Sequence, residues 1–147
     1  MSNSVEVVSH LREVVNATDK AMQKAARMIG GTVEGHAKEL CPVDTGLLRN
    51  SITFALGGQP PSITTYQSNE RNKSGGAIET VKGEYQGEAP DDDDHQVTVY
   101  AGTNVEYAPY QELGTKKMAA RPFLRPAMEN YQSEIEQIIE KCLREIR

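Results

Sequence analysis

Apolar residues recur every three or four positions through the first forty residues. Val8, Leu11, Val15, Thr18, Met22, Ala25, Ile29, Thr32, His36 and then Glu39 or Leu40 form one stripe, mostly apolar with polar interruptions. That period predicts a helix from about Ser4 to Leu40. At 1.5 Å per residue it would run roughly 50 Å, longer than a small domain requires. Two readings of the stripe stay open: a core-facing helix, or a helix packed against neighbouring subunits. Gly30-Gly31 and Gly35 weaken its middle by about 1 kcal/mol each relative to Ala, which predicts a kink or the close approach of another backbone. Pro42 ends it, because proline disfavours helical geometry in the residue before it.

The period then shortens. Leu48 to Leu56 alternates well enough for a half-buried strand, with Leu48, Ile52 and Phe54 on one face. Gly57-Gly58-Gln59-Pro60-Pro61 opens a polar stretch that Gly75-Gly76 and Gly83 punctuate. Two short β-like runs inside it, Ser62 to Tyr66 and Ala77 to Val81, can pair as a hairpin. With no strong apolar face, residues 57–94 are expected to form a flexible arm or protruding hairpin, inserted in a single domain of residues 1–147. Gln96 to Gly102 is the clearest strand, with Val97 and Val99 on one face and Thr98 and Tyr100 on the other. A final helix from Phe123 to Ile146 carries Met128, Tyr131, Ile135, Ile138, Ile139, Cys142 and Ile146 at helical spacing. The pattern predicts an α+β fold: a long N-terminal helix, a small antiparallel sheet of three or four strands with the inserted loop or hairpin, and a C-terminal helix packed beside the first.

Between the last strand and the last helix lies the densest stretch of the chain, Tyr107 to Pro126. Pro109 and Pro122 fix φ and lack an amide donor, so each suits a helix start or a bend. Gly114 follows Tyr110-Gln-Glu-Leu where a left-handed C-cap would end a short helix. Three aromatics (Tyr107, Tyr110, Phe123) and four cations (Lys116, Lys117, Arg121, Arg125) gather here, in a chain with only six Tyr, two Phe and no Trp. Tyr and Arg bury large area while keeping a polar tip, which concentrates them at interface hot spots. The expected division is structural work for Tyr107, Phe123 and Leu124, and exposure for Lys116, Lys117, Arg121 and Arg125. Tyr110 and Glu112 join those four as interface candidates, although Glu112 also suits an ion pair with Arg121 that fixes the loop.

A second motif, Pro42-Val-Asp-Thr-Gly46, is a turn in which Asp44 can bond a downstream amide and Gly46 can take positive φ. Asp-Thr-Gly also occurs in aspartic proteases, which need two carboxylates sharing one proton and apolar flanking strands. Here a helix and Pro42 precede the triplet and Leu47-Leu48-Arg49 follows it, so the protease reading fails.

Together, Pro42-Val-Asp-Thr-Gly46 with Leu48-Arg49-Asn50-Ser51-Ile52, Tyr107-Ala-Pro-Tyr110, Glu112-Leu-Gly-Thr115 and Arg121-Pro-Phe-Leu-Arg-Pro-Ala127 resemble the signature of the phage tail-component family. These are the head–tail joining or tail-completion proteins of long-tailed phages and prophages. The resemblance spans nearly the whole chain apart from the middle, and it makes Pro42, Asp44, Thr45, Gly46, Tyr107, Pro109, Gly114, Pro122, Phe123, Leu124 and Pro126 the structural motif. It implies a virion protein of the head–tail junction, present in the bacterial cytoplasm during assembly. It further implies a ring of identical subunits docking to other neck and tail proteins.

Composition narrows the remaining classes. The net charge is −5, against the basic excess expected of a general nucleic-acid binder. The Lys116–Arg125 cluster still permits a nucleic-acid-binding module or contact with DNA in a neck channel, and an acidic protein partner explains it equally well. The low mean hydropathy, −0.57, suits a chain partly extended or ordered in an assembly. No apolar run approaches the about 20 residues of a membrane span, and Met-Ser-Asn-Ser lacks the layout of a signal peptide. Cys41 and Cys142 would pair only if the terminal helices brought them together, and as cytosolic thiols they read as small apolar fillers. Asp91-Asp-Asp-Asp94-His95 offers metal-ligand types without a calcium-loop pattern, so it reads as a solvated charge run. His36 falls on the apolar stripe as a hydrogen-bonded core histidine. No nucleophile motif or phosphate loop supports the remaining alternative, a small hydrolase, and no cofactor or small-molecule substrate is expected.

Overall fold

The computed structural model describes residues 2–43, 46–71, 75–92 and 96–146. Asp44 and Thr45 of the first motif, and Asp93, Asp94 and His95 of the acidic run, lie outside the described residues. The chain folds as α1 (Ser2–Leu40), α2 (Leu47–Ser51), β1 (Thr53–Leu56), β2 (Thr65–Arg71), β3 (Ile78–Glu84), β4 (Val99–Gly102), α3 (Ala108–Leu113), α4 (Leu124–Glu129) and α5 (Gln132–Arg144). The α+β class, the long first helix and the C-terminal helix beside it agree with the sequence pattern. The strands do not make one sheet of three or four. They form two antiparallel pairs, β1 with β4 (Phe54 opposite Ala101) and β2 with β3 (Ser68 opposite Val81). Residues 60–63 run along the free edge of β1, where Ser62 N–H donates to Phe54 O at 2.8 Å. Pro60 and Pro61 bring no amide to that edge, so no third strand forms.

Helix α1 ends where Pro42 requires, its last amide bond running from Cys41 N to Ala37 O at 2.9 Å. Its buried stripe differs from the predicted one. Ala25 of the predicted stripe faces the core together with Ala26, Gly30, Val33, Ala37 and Cys41, whereas Leu40 is exposed. Small residues carry the contact because neighbours come very close. A Cβ on Gly30 would stand 2.3 Å from Phe54 Cδ2, while one on Gly31 meets nothing within 4 Å. The close approach predicted at the glycines is therefore that of a ring, not of a backbone. Gly31→Ala should stabilise the fold by up to about 1 kcal/mol through helix propensity, and Gly30→Ala should cost about 1–3 kcal/mol through overpacking. Denaturant unfolding checks the pair; a stabilised Gly30→Ala would show that the Phe54 ring is not seated there.

The strand expected over residues 48–56 begins later, because residues 47–51 form a helical turn. Gly46 (φ 85°) starts it, Asn50 N–H donates to Gly46 O at 2.9 Å, and the Ser51 hydroxyl donates back to Leu48 O at 2.6 Å. The strand expected over residues 96–102 shortens to β4, since Thr98 N–H goes to Asp92 Oδ2 at 2.9 Å. Asp92 also packs over Gly57, where a Cβ would meet its carboxyl at 2.2 Å. Among the described residues, no three metal-ligand side chains cluster. The β2–β3 hairpin is tied down at its base: Tyr85 Oη donates to Ser51 O, Tyr66 Oη to Asn104 Oδ1 at 2.6 Å, and Asn50 Nδ2 to Gln67 O at 2.9 Å. Burial raises the pKa of both phenols. Gly83 is needed here, because a Cβ would lie 2.2 Å from the Tyr66 ring.

The predicted final helix is two helices. Tyr131 leaves helical geometry (φ −118°, ψ 26°), and its ring stacks on His36 of α1 with centroids 3.5 Å apart. Helix α5 runs antiparallel to α1: Glu134 lies 2.8 Å from His36 Nε2, Cys142 Sγ 3.7 Å from Met28 Sδ, and Glu145 2.5 Å from Lys24 Nζ. His36 is hydrogen-bonded as expected, but it lies at the partly buried α1–α5 seam and not in the core. Its Nδ1 is buried without a hydrogen bond, Glu39 being 3.5 Å away. Both cysteines are buried and free. Met28, which Cys142 touches, lies about 20 Å along α1 from Cys41 at 1.5 Å per residue, so the pairing of the terminal helices holds the two thiols apart. The core gathers Val33, Ala37, Cys41, Leu48, Ile52, Val105, Ala108, Phe123 and Ala127.

Candidate functional site

The Tyr107–Pro126 stretch is a short helix, a tight loop and a buried anchor. Pro109 takes the second position of α3, where its missing amide costs nothing. Gly114 closes the helix by donating to Tyr110 O at 2.9 Å. Its φ is positive as predicted (74°), but its ψ of 174° belongs to the extended region open to glycine and not to the left-handed cap. A Cβ there would also sit 2.7 Å from Ala120 N and 2.9 Å from Met118 O. Residues 115–118 form a turn, Thr115 N–H donating to Met118 O at 2.9 Å while Thr115 Oγ1 accepts from Met118 N at 3.1 Å. Arg121 N–H then returns to Gln111 O at 2.7 Å, so the loop folds back onto α3.

Glu112 fixes the exit from this loop. Its Oε2 accepts from Phe123 N at 2.7 Å and Leu124 N at 3.1 Å, and its Oε1 from Arg125 N at 2.9 Å. These are the first amides of α4, which a helix cannot satisfy internally. The carboxylate is engaged with backbone, where the sequence suggested an ion pair with Arg121 or a partner contact. Phe123 beside it is fully buried. Lys116, Lys117, Met118, Arg121 and Arg125 are exposed. Arg125 Nε lies 2.9 Å from Glu129 Oε1, and that bond raises the guanidinium pKa.

The two sequence motifs meet in space. Pro42, Val43, Gly46 and Leu48 form one wall of a groove of about 690 Å³; Tyr107, Tyr110, Gln111, Thr115, Met118 and Arg121 form the other, and Glu70 of β2 reaches it as well. Tyr110 is 58 % exposed, Val43 55 % and Met118 36 %, so its walls present apolar surface rimmed by charge. Of the predicted interface residues, Tyr110 and Arg121 line the groove. Lys116 and Lys117 stand on the adjoining turn, Arg125 is paired on α4, and Glu112 serves the backbone. Val43, Glu70, Gln111 and Met118 are not among the site residues that the sequence points to, and Leu48 is read there as a strand and motif residue. Met118, flanked by cations, carried a local signal, whereas Glu70 lies in the polar hairpin and carried none.

Among the described residues, the groove shows no recognisable catalytic set. Cys41, just behind Pro42, is buried, and burial pushes its thiol up to about 11, with Arg49 pulling the other way; a nucleophilic cysteine needs the opposite shift. No helix among the described residues is long and apolar enough to cross a membrane. No curated protein and no solved structure matches the chain. The family model described as "Bacteriophage HK97-gp10, putative tail-component" matches residues 6–114, which hold the Pro42–Gly46 motif and α3 and stop before the Arg121–Ala127 motif. The match takes in most of the chain, both motif walls of the groove included up to Gly114, and the protein belongs to this HK97-gp10-like family of phage tail components.

Proposed function

We propose that this tail component works at the head–tail junction of the virion, completing the tail or joining it to the head as a ring of identical subunits. It is built in the host cytoplasm as a single domain. The groove is the face at which it meets its neighbours in the assembly. The observation that carries this reading is the meeting of two motifs, some sixty residues apart in sequence, around one exposed groove. Aromatic side chains and an arginine at an apolar cleft are the usual makings of an interface hot spot. The neighbouring Lys116 and Lys117 favour an acidic protein face.

Tyr110→Ala/Arg121→Ala should leave folding nearly intact, because both side chains are exposed and exposed charges contribute about 0–1 kcal/mol. Joining should fall at least about thirtyfold, the equivalent of losing roughly 2 kcal/mol at a hot spot. Arg125→Ala, whose partner is Glu129, should behave like the native protein. Thermal unfolding is to be set beside counts of joined particles in infected cells. Filled heads and separate tails are the expected outcome for the double variant; normal joining by it would remove the groove from the function.

A further inference from the structure

Helix α5 pairs with α1 as far as Lys24. Lys24 Nζ meets Glu145 Oε2 at 2.5 Å, and Glu145 is the residue that caps the end of α5. Residues 2–23 of the helix continue beyond that point for roughly 33 Å, at 1.5 Å per residue. Val14 (55 % exposed), Val15 (50 %) and Met22 (39 %) lie on this extension. Each precedes by eleven residues a position that the body buries: Ala25, Ala26 and Val33. Eleven residues are close to three full turns. The three exposed side chains therefore occupy the side of α1 that is packed further along. Thr18 sits between them, and its hydroxyl donates to Val14 O at 2.8 Å, so its one polar group is spent on its own helix. From Val14 to Met22 this side of the helix is a core face without its cover.

The groove is the complementary surface. It offers Val43, Tyr110 and Met118 to an apolar face. The loop Leu113–Arg121 that borders it carries Lys116, Lys117 and Arg121 and no acid; since the whole chain is −5, the remainder carries −5 − 3 = −8. A second copy thus brings a net-negative body to this loop; on the extension Asp19, four residues after Val15 and three before Met22, is exposed on their side of the helix, and exposed Lys20 lies off it. We infer that the α1 extension of one copy lies in the groove of the next. Val14, Val15 and Met22 pack against Val43, Tyr110 and Met118, with Asp19 towards the cations. An amphipathic helix laid in an apolar groove through i, i+4 and i+7 anchors is a recurrent recognition mode. The two surfaces differ, so the contact is heterologous, and its repetition closes a ring where the rotation allows. The inference rests on the groove being an assembly surface, and it names the occupant.

Two variants test it, one per surface: Val15→Asp/Met22→Asp on the extension and Tyr110→Asp/Met118→Asp in the groove. Sedimentation velocity gives the size of each alone and of the two mixed. Native protein should form closed oligomers and each variant should stay monomeric. The mixture should give dimers and nothing larger, because one intact extension and one intact groove remain between the two chains. If native protein associates but either variant associates equally well, the inference falls while ring formation stands. A mixture that stays monomeric shows that the two surfaces do not meet. Native protein that is monomeric up to its solubility limit overturns the inference and the ring together, yet leaves the joined-particle result for the groove untouched. Should an Asp variant fail to fold, the Ser equivalents at the same four positions serve in its place.

Discussion

Replacing Phe123 by Ala is expected to lower the stability of the fold by about 3–5 kcal/mol, the usual cost of emptying a buried phenylalanine site. The ring is fully buried, and its cluster is built largely from small side chains: Ala37, Ala108 and Ala127 with Val33, Ile52 and Val105. Side chains of that size cannot swing into the vacated volume, so the cavity term should sit near the upper end. Against a total of about 5–15 kcal/mol for a domain, such a loss removes a large share of the stability. It also releases the junction between α3 and α4, since Phe123 directly precedes α4. Denaturant unfolding checks this, and Phe123→Leu should recover much of the loss by refilling the site. A cost below about 1 kcal/mol for the Ala variant would mean that the ring is not a core anchor and that the loop is held from elsewhere.

The contrast between this residue and α1 shows which parts of the fold the sequence could disclose. Phe123 reads as structural from sequence because a large apolar residue next to Pro122 has few other uses. Pro42, Gly46 and Gly114 are equally plain, since proline chemistry and positive φ act through the backbone wherever the residue sits. The buried stripe of α1 was misplaced by about one residue. Hydrophobic periodicity weights Leu40, which is exposed, and Ile29, which is only partly buried, whereas the closest contact is made by Ala26, Gly30 and Ala37, which a scale of apolarity barely registers. What decides the matter is the Phe54 ring lying against Gly30, and that ring comes from a strand more than twenty residues away. The split of the β-structure into two pairs was hidden for a related reason. Local patterns mark strands but not partners, and Pro60 and Pro61 act by what they withhold from β1.

At the candidate site, the legible part was the gathering of aromatics and cations; the groove itself was not. Its far wall comes from the turn after α1, and Glu70 comes from a hairpin that looked merely polar. No spacing rule joins Pro42 to Tyr110. The role of Glu112 was similarly out of reach. A capping carboxylate normally declares itself by standing at the start of its own helix, but this one reaches α4 from the preceding helix, eleven to thirteen residues upstream.

Glu112 therefore supplies the second large effect. In Glu112→Ala, the amides of Phe123, Leu124 and Arg125 lose their acceptor together. Hydrogen bonds to a charged group contribute about 1.5–3 kcal/mol each where water is excluded. Arg125 N is exposed, while Phe123 N and Leu124 N are partly buried, so water can replace only part of what is lost. The expected cost is about 2–4 kcal/mol, taking the two less exposed bonds as the main contributors. Glu112→Gln keeps one carbonyl oxygen and should lose roughly half as much, because the charge and one of the two acceptor atoms are gone. The readout that separates this role from a partner contact is amide hydrogen exchange at residues 123–125. In the Ala variant those three amides should exchange much faster than in the native protein, while the β1–β4 amides change only in step with global stability. Joining of heads to tails should decline no further than the fraction of folded protein does. Unchanged protection of the three amides, with joining lost at native melting temperature, would place the Glu112 carboxylate on a partner and not on the α4 backbone.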